Sequence, residues 1–124
     1  MIKSMIVAGL GGFLGTCARF LVGKLATYLF PSPFPYGTFT VNIAGCFLIG
    51  IFFGLSERAN LMSYSMMLFL ITGFCGGFTT FSTFSADMLQ LVQNGNKLYF
   101  AMYLVGSILL GIAFVWIGKA LVRG

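Results

Sequence analysis

The sequence predicts an all-α membrane protein of four transmembrane helices, on three observations. The chain has 124 residues, of which 59% are hydrophobic and only 7% charged, with a mean hydropathy of +1.01. A water-soluble domain carries about a quarter charged residues, so the solvent for most of this chain is lipid. Four apolar runs follow one another, at about 5–29, 38–56, 61–93 and 98–118, and each is long enough for a hydrocarbon core that needs roughly 20 apolar residues. The links between them are short and hold no soluble domain, so 1–124 reads as a single transmembrane domain.

Composition narrows the function classes as well. There is no histidine, and the only acids are Glu57 and Asp87, which excludes a His-dependent triad and a metal site of clustered His or carboxylates. The reading is therefore not an enzyme. Cys17, Cys46 and Cys75 are odd in number and sit inside apolar runs, as small packing residues do. The net charge of +5 is dispersed along the chain, so it is no nucleic-acid footprint and suits anchoring of loops at lipid headgroups.

Run one is interrupted by Arg19 and Lys24, and an arginine near its middle argues against a cleaved signal peptide. All three prolines then fall in FPSPFPYG (30–37), where they stop the helix and hold the link extended. Run two has no charge and one side-chain amide, Asn42, which at membrane depth needs partners, either a neighbouring helix or a ligand. ERAN (57–60) and QNGNK (93–97) make the remaining two links. In run four, Tyr99, Tyr103 and Ser107 recur every four residues as a polar stripe, lining a path or, for Tyr99, anchoring at the interface.

Run three carries the unusual stretch, FCGGFTTFSTFSADM (74–88). Gly73, Gly76 and Gly77 weaken a helix at its middle. Either the helix breaks there, freeing carbonyls that protein, water or an ion must satisfy, or it continues and the glycines allow close packing. Phe81 and Phe84 share a helical face; they pack ordinarily or present electropositive ring edges to a partly dehydrated anion. Arg19 and Asp87 are the ionisable groups in or near the membrane, which makes each a functional candidate beside a structural role.

Gly11 and Gly15, Gly50 and Gly54, and Gly73 and Gly77 form small-xxx-small pairs that let helix backbones approach in lipid. Four helices make a thin bundle, which favours self-association. An even number of spans puts both termini on one side, with Lys3, Arg58, Lys119 and Arg123 there and Lys24, Lys97 and Arg19 opposite. So small a bias suits insertion either way round.

GFCGGFTTFSTFS in run three resembles the signature of the Fluc/CrcB fluoride channel family, and GGFLGTCARF (11–20) and GTFTVNIAGCFLIG (37–50) resemble its other two recurring segments. Order, spacing and the four-span layout agree along nearly the whole chain. The resemblance implies an antiparallel, dual-topology homodimer, with a third helix broken at mid-membrane. It implies passive fluoride export across the bacterial plasma membrane and a central sodium ion held by the backbone carbonyls of Gly76 and Thr79. By motif position it places Phe81, Phe84 and Asn42 on the fluoride path and makes Arg19 the first-helix arginine; this chain has Asp87 where many relatives carry Glu. It implies that the hydroxyls of this stretch, Ser82 and Thr83 among them, line a narrow polar track; Tyr103 and Ser107 are added to the path from the polar stripe of run four, and Arg19 and Asp87 are assigned to a vestibule or to structure. Two other classes compete: a proton-coupled efflux transporter of the small multidrug resistance type, and a non-conducting subunit of a membrane assembly. The first needs a carboxylate in the bundle, typically in its first helix, and run one has none.

Overall fold

The computed structural model describes residues 1–58 and 63–123, and their regular structure is helical throughout. Helix α1 spans Ile2–Leu29 and α2 spans Tyr36–Glu57. The third run becomes two helices, α3 over residues 64–78 and α4 over Phe81–Gln93. Helix α5 spans Lys97–Arg123. Four stretches are long and apolar enough to cross a membrane, Ile2–Leu29, Tyr36–Glu57, Tyr64–Gln93 and Lys97–Val122, so the chain is a multi-pass membrane protein. Each helix of the first, second and fourth spans outruns its apolar stretch, because helical backbone bonding continues into the headgroup zone where side chains turn polar. Residues 61 and 62 of the third run, and 59 and 60 of the link before it, lie outside the described residues.

The proline link departs from expectation. It bends at residues 32–34 instead of running extended, and the bend turns Phe34 inward until only 8% of it is exposed. The ring enters a cluster with Tyr103 and Leu91, flanked by Phe39, Phe84, Tyr99 and Met88. Burial of an aromatic ring outweighs the straightness that prolines favour. The last link is a tight turn in which Gly95 takes φ 76°, a left-handed conformation that glycine adopts without a Cβ penalty.

Helix α1 lies along α3, and α2 along α5. The glycine pairs make these contacts within the chain. A methyl group on Gly11 would fall on the Phe69 carbonyl, and one on Gly15 on the Phe74 carbonyl. From the other side, a Cβ on Gly77 would stand 2.6 Å from the Gly12 carbonyl oxygen. Gly50 faces the Val115 carbonyl of α5 in the same manner. At the far end, Lys119 pairs with Glu57 at 2.9 Å, and Arg58 Nη1 donates to the Val122 carbonyl at 2.7 Å. The end of α2 and the end of α5 therefore meet, as an even number of spans requires.

Candidate functional site

Helix α3 does not break at its glycines. Residues Leu68–Cys75 wind as a wide π-type turn, in which the Gly76 N–H bonds the carbonyl of Ile71 five residues back. Gly76–Phe78 then return to an α turn, and Thr79 N–H bonds Cys75 at 2.9 Å. The break comes two residues after Gly77. Thr79 (φ −93°, ψ 159°) and Thr80 (φ −154°, ψ 129°) are both extended. Gly73 and Gly77 serve the contact with α1 instead, while Gly76 faces outward from the single chain. The two readings left open for the glycines thus divide: packing falls to Gly73 and Gly77, and the threonines take the break.

A break at this depth leaves polar backbone that lipid cannot satisfy. Thr80 caps α4, its hydroxyl accepting the Thr83 N–H at 3.3 Å. The same hydroxyl lies 3.3 Å from Ser82 Oγ. Asn42 of α2 grips the Thr80 peptide with both ends of its amide: Oδ1 accepts the Thr80 N–H at 2.9 Å, and Nδ2 donates to the Thr80 carbonyl at 3.1 Å. Arg19 of α1 reaches across with Nε to the Gly77 carbonyl at 2.9 Å. The Thr79 hydroxyl turns back to Cys75, donating to its carbonyl at 2.8 Å.

In a continuous helix the carbonyls of Gly76 and Thr79 would accept from the N–H groups of Thr80 and Thr83, four residues on. Here the first of those donors goes to Asn42 and the second to the Thr80 hydroxyl. With Thr79 and Thr80 extended, two carbonyl oxygens next to the break stand outside helix bonding, and hard oxygen donors of this kind suit a small cation. The residues fit the sodium ion that the resemblance implies.

Beyond the break, Phe81 and Phe84 stand with ring centroids 6.0 Å apart. They differ in surroundings. Phe81 is 79% exposed on the single chain, whereas Phe84 leans on Tyr103 with centroids 4.8 Å apart. Tyr103 is fully buried, and its hydroxyl donates to Asp87 Oδ2 at 3.1 Å, so it supports the site from behind rather than facing open space. One turn further on, Ser107 Oγ is buried without a hydrogen-bond partner among the described residues. The expected polar stripe is therefore split, a bonded tyrosine at one position and an unmatched hydroxyl at the next.

Arg19 also lines a cavity of about 700 Å³ with Lys24, Thr38, Thr80 and Thr83, open on one side between α1 and α2. Lys24 stands 5.6 Å over the Phe20 ring. A second cavity of about 320 Å³ runs under the proline link to Asp87, Thr38 and Gln90. The sequence-predicted residues Arg19, Asn42, Gly76, Thr79, Ser82, Thr83, Phe81 and Phe84 are thus gathered at one break, with Asp87 and Tyr103 a turn beyond. Phe34 was not singled out from sequence, and Thr80 stood there only as one hydroxyl of the 74–88 stretch, with no capping role. A capping-type hydroxyl three residues ahead of Thr83 was the available signal for Thr80; nothing local marks Phe34.

The chain matches the model of the family described as CrcB-like protein, Camphor Resistance (CrcB), over residues 6–119. It is 43% identical over 120 residues to the fluoride-specific ion channel FluC of Chlorobium phaeobacteroides, covering 97% of this chain and 93% of that one. It is 44% identical to the protein of the same name from Azobacteroides pseudotrichonymphae, covering 98% and 97%. With the Chlorobium luteolum protein of that name the identity is 46%, over 93% and 88%. With a match across nearly all four spans and the broken third helix between them, this chain belongs to the CrcB family.

Proposed function

We propose that this protein is a fluoride channel, releasing the ion passively across a bacterial plasma membrane and so limiting its toxicity, with no enzymatic step. The observation that carries the reading is the break at Thr79–Thr80, where hydroxyls, amides and two phenyl rings converge inside an apolar span. Relatives 43% identical over nearly their whole length bear the name of fluoride-specific channel, which supports the choice of ion. Fluoride is strongly hydrated, and replacing its water takes many weak donors rather than one trapping charge. Phe81 and Phe84 offer ring edges, Asn42, Ser82, Thr83 and Ser107 offer polar hydrogens, and Tyr103 backs Phe84.

The working unit is a homodimer of antiparallel copies in lipid. Support comes from the outward-facing Gly76 and Phe81, which a second copy would cover, and from the nearly balanced charges of the two ends. The carbonyls of Gly76 and Thr79 hold a structural sodium ion at the dimer centre. When bound, that ion neutralises the partial negative charge of the released carbonyls. Arg19 and Lys24 give the large cavity a positive lining that draws anions toward the break.

The test is ion flux from liposomes holding purified protein, with fluoride and chloride run side by side. Fast fluoride release with chloride retained is the expected result; equal release of both, or of neither, defeats the proposal. A tag at the C-terminus should report both compartments in comparable amounts, and a single orientation for nearly all molecules removes the antiparallel arrangement.

A further inference from the structure

Asn42 is the side chain that holds the extended linkage between α3 and α4 from both sides of Thr80. The described peptide bonds are trans. A trans peptide is planar, with its N–H and C=O pointing in opposite directions. The Thr80 N–H points at Asn42 Oδ1, so the Thr79 carbonyl, in the same peptide plane, points away from Asn42 and α2.

The alternative fate of that N–H is also defined by geometry. Without an acceptor on α2, the Thr80 N–H would be unmatched at membrane depth. Its nearest repair is the helical bond to the Gly76 carbonyl, four residues back, which lengthens α3 by one residue. That single change would occupy the Gly76 oxygen and swing the Thr79 oxygen toward the helix axis. Arg19 meanwhile draws the Gly77 carbonyl off toward α1 at 2.9 Å.

We infer that Asn42 is a positioning residue for a cation site: by taking the Thr80 N–H it frees the Gly76 carbonyl and aims that of Thr79. The inference rests on the proposed reading that these two carbonyls bind sodium. It gives Asn42 a task separate from contact with the permeating anion, and the two tasks are carried by different atoms. The Oδ1 acceptor serves the cation site, while the Nδ2 hydrogens serve the Thr80 carbonyl and the anion.

The test uses purified full-length protein, reading the thermal unfolding midpoint against sodium concentration, with N-methylglucamine chloride as the balancing salt. Asn42→Leu removes the acceptor and should raise the half-saturating sodium concentration by about tenfold or more, the equivalent of one lost hydrogen-bonded arrangement. Asn42→Asp keeps an acceptor for Thr80 N–H, and its half-saturating concentration should stay within about threefold of wild type even as fluoride flux falls. Sodium binding by Asn42→Leu equal to wild type overturns the inference and leaves the cation reading in place. Wild type with no sodium dependence removes the cation reading and the inference with it. If Asn42→Leu does not stay monodisperse, Asn42→Asp decides: weakening as large as that expected for Leu overturns the proposal.

Discussion

The α1–α3 contact and the ring cluster around Tyr103 hold the two halves of one membrane span by opposite means. Along α1, Gly11 and Gly12 lie against Gly73 and Gly77, and Gly15 against the backbone of Phe74 and Phe78, so that the nearest neighbour of each added carbon is a backbone atom. In the cluster, Phe34, Phe39, Phe84, Tyr99 and Tyr103 touch ring to ring, with centroids 4.8 to 6.3 Å apart. A seam made of absent side chains has nothing that can yield, because backbone carbonyls do not change rotamer. Rings can slide and tilt at modest cost. The first half of the span is therefore fixed as far as Phe78, the second half is carried on an adjustable cushion, and the extended pair Thr79–Thr80 joins them. Asn42 and Arg19 fasten that joint to the two helices on either side.

The most damaging way to break this comparison is to put a side chain into the seam. Gly15→Leu would drive its Cβ into the Phe74 carbonyl and to 3.0 Å from the Phe78 nitrogen. Overpacking against backbone should cost more than about 4 kcal/mol, enough to prevent recovery of monodisperse protein after detergent extraction. The matching control is Gly9→Leu, where an added Cβ would meet nothing within 4 Å among the described residues. Its elution profile and unfolding midpoint should match wild type. Equal damage at both positions would mean that the α1–α3 contact has no special rigidity.

The next test separates the rings. Phe81 is exposed on the single chain, and Phe84 is packed on Tyr103, so the same substitution should give two different signatures. Phe81→Ile and Phe84→Ile each remove the electropositive ring edge, and each should lower fluoride flux by about tenfold or more, the equivalent of about 1.4 kcal/mol at the limiting step. Phe84→Ile should in addition lower the stability of the fold, by about 1 kcal/mol, for the contact with Tyr103, a loss that Phe81→Ile does not share. Flux per folded protein and thermal unfolding are measured on the same preparations. Wild-type flux in both variants would place the ion on another face of α4.

The seam was more legible in the sequence than the joint. Small residues at four-residue spacing announce close helix contact, and the pairs at 11 and 15, 50 and 54, and 73 and 77 all make one, though with helices of the same chain. The residues alone left open whether the third helix breaks, the resemblance implied that it does, and the structure displaces the break from the glycines to Thr79 and Thr80. Glycine weakens a helix locally, but the conformation at Thr79 and Thr80 is set by bonds from α1 and α2, at sequence separations of 58 for Arg19 and 38 for Asn42. The same limit hid Phe34: a proline-rich link announces a helix stop, while the pocket that receives its ring is built from α2, α4 and α5. Tyr103 was recognised as polar and placed on the path, and the structure buries it because Asp87 and the rings of Phe34, Phe39 and Phe84 surround it at once. Local propensity carries the elements; partners distant in sequence decide how a polar side chain among them is used.

Tyr103→Phe tests how far the cushion depends on the bond from Tyr103 to Asp87. The substitution keeps the ring contacts with Phe34, Phe39 and Phe84 and removes the hydroxyl that donates to Asp87 at 3.1 Å. Stability should fall by about 1–2 kcal/mol, the value of a hydrogen bond to a half-buried carboxyl group. Since Phe84 still has a ring to lean on, fluoride flux per folded protein should fall by less than in Phe84→Ile. A flux loss as deep as that variant's would make the hydroxyl itself part of the path.

The mildest change addresses the joint directly. Thr80→Val keeps a β-branched side chain of the same shape and leaves the backbone of residue 80 in the grip of Asn42. What it removes is the hydroxyl that accepts the Thr83 N–H at 3.3 Å and meets Ser82 Oγ at 3.3 Å. Both distances are long for hydrogen bonds, so the loss should lie near the lower end for a helix cap, about 0.5–1 kcal/mol. The seam is untouched, the ring cluster is untouched, and the Thr79 carbonyl keeps its direction because the Thr80 N–H still points at Asn42. Sodium-dependent stabilisation should therefore keep its wild-type concentration dependence in Thr80→Val, while Asn42→Leu shifts it by about tenfold or more. If Thr80→Val abolishes it too, the capping hydroxyl holds the break and the α2 amide only follows.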